Sequence, residues 1–388
     1  MVFVVVDKLP FSSQYCKNDH IRSITIIGEQ EQAARPRLGV LTISWENDLK
    51  KTLDTKLAIL ADNPSADSFI LADAKDPDMA RGIASPGKNP DGSWRSMTDL
   101  RDQAREIVAQ GLVDIMLMSA STSEILTIDE RLFDESAVTP AVRANDTTDV
   151  HVVRGARYVN HPSRPFARTT IDHIQAGKSP CTALERSRGA NLALYSVTFN
   201  NDPVIDLDAM EQYKTFRLEA EAKGLRHFLE VFTPNVPPAV HGLAPEEIPP
   251  FVNDHIVRLL AGVPRSSRPC FLKIPYLGPR AMEELCAYDP SVVVGVLGGG
   301  GGTTHDAFHI VADAKKHGAR VALFGRKIVA AEHQLSFVSQ LRLVADGLLT
   351  AREAVSAYHA DLRRFGIAPY RSIEKDLELT EPVFAYGG

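Results

Sequence analysis

The stretch that decides the fold runs from residue 270 to 328: CFLKIPYLGPRAMEELCAYDPSVVVGVLGGGGGTTHDAFHIVADAKKHGARVALFGRKI. Three short apolar, β-rich runs stand in it, CFLKI (270–274), VVVGVL (292–297) and RVALF (320–324), each followed by a polar or glycine-rich turn. Between them lie segments with apolar residues at i, i+3 and i+4, the spacing of a helix with one buried face. Continuous apolar strands alternating with amphipathic helices are the signature of parallel strands covered by crossover helices.

Outward from this stretch the same unit repeats. SFILAD (68–73), VDIMLM (113–118), TPAVRA (139–144), NLALYSV (191–197) and HFLEVF (227–232) bring the count to eight, the number that closes an α/β barrel of the TIM (β/α)8 type. Helices are predicted over DLRDQAREIVAQGL before the second strand and DAMEQYKTFRLEAEAKGL before the fifth; Gly111, Gly224 and Gly318 stand where helices would stop and turn back into strands. Three regions fall outside the repeat. Residues 1–67 read as an N-terminal extension packing on the barrel, with a short strand pair and a helix near DLKKTLDTKLAIL. Residues 145–190, inside the 68–345 barrel, form an excursion after the third strand, and residues 346–388 form a helical tail that includes LTAREAVSAYHADLRRFG.

Composition narrows the function. With 44% hydrophobic and 24% charged residues the 388-residue chain is an ordinary globular protein. A formal net charge of −6 without a dense basic run argues against nucleic acid as a partner. No stretch approaches the ~18 apolar residues of a membrane span, and the opening MVFVVVDKLP lacks the basic start and the length of a signal peptide. Cys16, Cys181, Cys270 and Cys286 have no metal-binding spacing and read as reduced, mostly buried thiols. A cytoplasmic location is expected.

In such a barrel the chemistry sits at the C-terminal ends of the strands. Lys273 interrupts an apolar strand, where alternation puts it on the face of Phe271 and opposite Leu272 and Ile274. Pointing inward, it would be pressed by desolvation toward the neutral amine that attacks carbonyls; the plainer reading is a lysine snorkelling to solvent or paired with Glu230. Gly298, Gly299, Gly300, Gly301 and Gly302, followed by Thr303 and a helix, suit an anion held by backbone N–H groups and a helix start, against the alternative of a flexible linker. Gly325 and Arg326 supply a second anion feature after the eighth strand, unless Arg326 serves a surface ion pair. Asp73, Glu230 and Tyr195 are the acid–base candidates, with a loop cap, an ion pair and a core position as their respective structural alternatives.

With these residues in place, the chain resembles the class I (Schiff-base) aldolases of the fructose-bisphosphate and tagatose-bisphosphate type, in the group that includes deoxyribose-phosphate aldolase. The resemblance is strongest from about residue 225 to 330 and rests on FLEVFTP, LKIPY, GVLGGGGG and LFGRK, in that order. It implies a Lys273 iminium with a ketose phosphate substrate, proton transfers by Glu230 or Asp73, and phosphate held by Gly298 to Thr303 with Arg326. Tyr195 lies near the family's strand-four tyrosine. The family needs no metal or other cofactor and is commonly homo-oligomeric. The chain departs from it in Ala74-Lys75-Asp76 after the first strand, in the longer glycine run and in the 145–190 excursion. Three competing readings are a transaldolase-like lyase using the same imine, a metal-dependent barrel enzyme with Asp73, Asp76, Asp78 and His305 around a cation, and a non-catalytic barrel that senses sugar phosphates.

Overall fold

The structure, a computed structural model, describes residues 50–89 and 92–380. The first 49 residues of the N-terminal extension, including its expected strand pair and Cys16, lie outside the described residues.

Eight parallel strands close into a barrel: β1 Ile70–Lys75, β2 Ile115–Met118, β3 Thr139–Arg143, β4 Leu192–Thr198, β5 Arg226–Phe232, β6 Leu272–Ile274, β7 Val294–Leu297 and β8 Val321–Phe324. Each pairs with its sequence neighbour, and β8 pairs with β1 to complete the circle. All eight fall on the runs read from the sequence, because a strand buried on both faces must be apolar on both. The register then sorts the side chains. Ile70, Ala72, Ile115, Leu117, Leu192, Leu194, Phe228, Phe271, Val321 and Leu323 fill the barrel interior. Leu71, Met116, Met118, Leu229, Leu272, Ile274, Val296 and Phe324 face the helical layer.

The helices follow from local chemistry as well as from periodicity. Met97–Gln110 begins with a reciprocal capping box between Ser96 and Asp99, buries Leu100, Ala104, Ile107 and Val108, and ends at Gly111 with φ +70°. Pro203–Ala222 starts with Pro203 in its first turn and the Asp202 carboxylate accepting from the N–H groups of Val204 and Ile205. Helix Thr52–Asp62 sends Leu53 and Leu60 into the same apolar cluster as the barrel interior, so it closes the end opposite the strand C-termini. In the tail, Ala351–Arg364 is helical.

The excursion after β3 carries a small antiparallel pair, Asp146–Thr147 with Pro165–Phe166, and a helix, Ile171–Ala176. Its residues Asp149, Val150 and Val152 share a cavity with the C-terminal ends of the barrel strands, so the excursion lies over that end. No described helix is long and apolar enough to cross a membrane. Cys181, Cys270 and Cys286 are unpaired and half-buried rather than fully buried.

Candidate active site

A cavity of about 210 Å³ opens at the C-terminal end of the barrel. Its charged floor is built by strand register. Ser196, Glu230 and Lys273 sit side by side on β4, β5 and β6 and share the inward face. Lys273 Nζ lies 2.5 Å from Glu230 Oε1, with Lys273 6% and Glu230 2% exposed. Glu230 Oε2 accepts from Ser196 Oγ at 2.7 Å and from an Arg143 guanidinium N–H at 3.4 Å.

Arg143, on the inward face of β3, ties the site together. Its Nε donates to Asp76 Oδ2, and a terminal N–H donates to Ser196 Oγ at 3.0 Å. Asn145 clamps the backbone of Ser196, donating to its carbonyl at 2.8 Å and accepting from its N–H at 2.6 Å. Burial pushes the Glu230 carboxyl up, but the charges of Lys273 and then Arg143, with hydrogen bonds from Lys273 and Ser196, hold it below its ordinary value. Burial likewise works against the charge on Arg143, and Asp76, Glu230 and Asp146 overcome it, so the guanidinium is held protonated more firmly than usual.

Two acid–base candidates from the sequence fall elsewhere. Asp73 faces away from the cavity: β1 runs on to Lys75, Ile70, Ala72 and Ala74 take the interior, and Asp73 is left in the helical layer. There Lys75 Nζ lies 3.1 Å from Asp73 Oδ2 and donates to Gln334 Oε1 at 2.6 Å. The acid of this segment that lines the cavity is Asp76, two residues on from Ala74. Tyr195 also faces outward, since alternation gives the interior to Leu194 and Ser196. Its ring stacks on Phe216 at 4.6 Å and tilts against Tyr213 at 5.2 Å.

The expected anion cradle divides in two. Gly298, Gly299, Gly325 and Arg326 line the cavity, whereas Gly300, Gly301, Gly302 and Thr303 do not. A Cβ at Gly298 would lie 2.1 Å from the Phe324 ring, and one at Gly300 would lie 2.7 Å from Arg326 Nε, so glycine lets the loop pass beneath both side chains. Thr303 caps helix Thr304–Lys316 and donates through Oγ1 to the Glu378 carbonyl at 2.7 Å. The N–H of Thr304 donates to Asp376 Oδ1 at 2.8 Å. The helix start that was expected to hold a ligand anion therefore holds a carboxylate of the chain's own tail.

The four residues of the metal reading do not gather. Asp73 points outward, and His305 sits on the helix after the glycine run with Nδ1 2.8 Å from the Leu377 carbonyl, lining a different cavity. Among the described residues no group of three or more His, Cys, Asp or Glu is arranged to hold a metal ion.

Arg143, Ser196 and Asn145 were not read from the sequence as parts of this site, and Asp76 was read only as a candidate cation ligand. Arg143 carried the same signal as Lys273, a charged residue inside an apolar strand run, and Ser196 follows from it by alternation along β4.

Fold and site together describe a (β/α)8 barrel with a buried lysine–glutamate pair facing a cavity at the C-terminal end of its strands. No family model and no curated protein matches the chain. Among solved structures it is similar to an archaeal fructose 1,6-bisphosphate aldolase, at 17% identity and a TM-score of 0.54, over 76% of this chain and all of that one. Another solved structure, of an archaeal fructose-1,6-bisphosphate aldolase with its catalytic lysine covalently bound to the carbinolamine intermediate of the substrate, matches at 18% identity and a TM-score of 0.54, over 76% of this chain and 100% of that one. A fructose-bisphosphate aldolase from Slackia heliotrinireducens matches at 12% identity and a TM-score of 0.57, covering 81% of this chain and 93% of that one. At these identities the likeness establishes the barrel fold they share.

Proposed function

We propose that the protein is a class I aldolase that makes or breaks a carbon–carbon bond of a ketose phosphate through a Schiff base on Lys273. The observation that carries this reading is the inward-facing Lys273 amine, within 2.5 Å of Glu230, on a cavity that also holds Gly298, Gly299, Gly325 and Arg326. An amine in this setting attacks the ketose carbonyl to form a carbinolamine, which loses water to leave an iminium. In the cleavage direction the iminium draws in the electron pair of the C3–C4 bond as a base removes the C4 hydroxyl proton, releasing an aldehyde. The remaining enamine is protonated at C3, and hydrolysis frees the lysine.

Glu230 is placed to take the proton that Nζ sheds on attack and to return one to the departing water. Asp76, held by Arg143, takes the second acid–base role that the sequence suggested for Asp73. The loops after β7 and β8 hold the substrate phosphate through Gly298, Gly299, Gly325 and Arg326. A soluble homo-oligomer working on a small sugar phosphate without a bound cofactor is the corresponding biological form.

Borohydride reduction in the presence of dihydroxyacetone phosphate, followed by peptide mapping, tests the reading. An adduct on Lys273 is expected, and Lys273→Ala should lose both adduct and aldol cleavage while remaining folded. Cleavage that persists in Lys273→Ala would end the Schiff-base assignment.

A further inference from the structure

Arg81 closes the short helix Pro77–Arg81 that follows β1, and Gly82, at φ +58°, turns the chain away after it. Its side chain lines the same cavity as Arg326, Gly299 and Gly325. Both arginines are exposed to solvent, and among the described residues neither guanidinium has a carboxylate or a hydrogen-bond acceptor. The cavity's own acids are engaged elsewhere: Asp76 with Arg143, Glu230 with Lys273, and Asp149 with the hydroxyls of Ser163 and Thr198 at 2.8 and 3.2 Å. Desolvation and then the charge of Arg81 lower the proton affinity of Arg326, and the Glu230 carboxylate offsets only part of this.

The excursion fastens this arrangement. The Val152 N–H donates to the Ala80 carbonyl at 2.6 Å, and Arg168 donates to the Met79 carbonyl at 2.6 Å while pairing with Asp146 at 2.7 Å. Residues 150–171 hold four arginines and no aspartate or glutamate, and Asp149, the acid that the excursion contributes to this cavity, is the one already bound by Ser163 and Thr198. Two cations on one wall, one tethered by the excursion and the other lying across Gly300, are mutually repulsive until an anion joins them.

We propose that Arg81 and Arg326 grip a single phosphoryl dianion between them, so that the loop after β1, held down by the excursion, is a third wall of the anion site beside the loops after β7 and β8. The identity of the phosphorylated substrate rests on the aldolase reading; the anion site itself does not. A guanidinium pair is suited to the task because each planar fork presents N–H groups to phosphate oxygens while the two positive charges match a dianion.

Inorganic phosphate is the probe, titrated into the full-length protein by calorimetry. Arg81→Gln should weaken phosphate binding by roughly tenfold or more, as expected for loss of a charge-assisted hydrogen bond. Arg81→Lys should recover part of the loss, and Arg81→Gln combined with Arg326→Gln should lose less than the sum of the two single effects. Borohydride trapping of Lys273 with unphosphorylated dihydroxyacetone should be the same in Arg81→Gln as in the parent protein. Wild-type phosphate affinity in Arg81→Gln, or no phosphate binding by the parent protein, would overturn the proposal. Failure to trap Lys273 alongside an Arg81-dependent phosphate site would instead overturn the aldolase reading and leave this one standing.

Discussion

The barrel contains two buried lysine–carboxylate pairs on strands only a short way apart, and they behave as opposites. Lys273 and Glu230 face inward onto an open cavity, in a network with Arg143 and Ser196. Lys75 and Asp73 face outward, sealed between barrel and helices at 0% exposure, with Gln334 as the further partner of the lysine. Glu230 is held below its ordinary pKa despite its burial. Burial raises Asp73, and the charge of Lys75 offsets only part of the rise; burial likewise lowers Lys75. Glu230 is built to stay charged, while the outer pair leans toward neutrality. Burial of a charge is common to both, so it does not mark function; the face of the strand and access to a cavity do.

The largest expected effect breaks the inner pair. Glu230→Gln keeps the shape but removes the charge beside Lys273, and under the proposed Schiff-base mechanism it should slow imine formation and cleavage by roughly 10²–10⁴-fold. Measured trapping rates on Lys273 check this. Full turnover in Glu230→Gln would transfer the proton chemistry to Asp76.

The outer pair should respond in stability instead. Asp73→Ala leaves the buried Lys75 amine without its carboxylate partner and should cost about 1–3 kcal/mol in denaturant unfolding, with Lys273 trapping unchanged. Replacing both partners, Asp73→Leu with Lys75→Met, should recover most of that loss, because apolar groups of similar size carry no desolvation penalty. The pH responses differ in sign. Glu230, with its lowered pKa, contributes stability above the ordinary carboxylate range that is lost as pH falls through its folded value. Asp73, with its raised pKa, favours the folded state at low pH and loses that contribution as pH rises toward its folded value. A fall in trapping rate in Asp73→Ala would place that carboxylate in the chemistry after all.

The contrast also explains what the sequence revealed and what it hid. The eight strands were legible because both faces are buried, and Lys273 stood out because a charge interrupts such a run. Asp73 was misplaced because SFILAD ends where the polar residues begin, whereas β1 continues to Lys75. What completes the outer face there is Gln334, remote in the chain and invisible to local spacing. The glycine run promised one anion site from end to end. Only its first two residues line the cavity, because the helix start behind it is occupied by Asp376, 72 residues further on. Local pattern thus gave the elements and the inward-facing Lys273 and Glu230, while long-range partners decided which of the remaining polar groups were free for a ligand.

The smallest expected effect tests the outer face where it carries no charge. Tyr195 shares a strand with Ser196 and differs from it only in direction, its ring packed against Phe216 and Tyr213 in the layer outside the barrel. Desolvation there raises its hydroxyl above the ordinary tyrosine value, so it has little tendency to give up its proton, and the barrel wall separates it from Lys273. Tyr195→Phe keeps the ring that makes these contacts and removes only the oxygen. Unfolding free energy should move by no more than about 0.5 kcal/mol, and the rate of aldol cleavage should be that of the parent protein. A tenfold loss of cleavage in a variant of unchanged stability would mean that β4 turns during catalysis to bring its outward face to the substrate, and the separation of inner and outer faces would no longer hold for this strand.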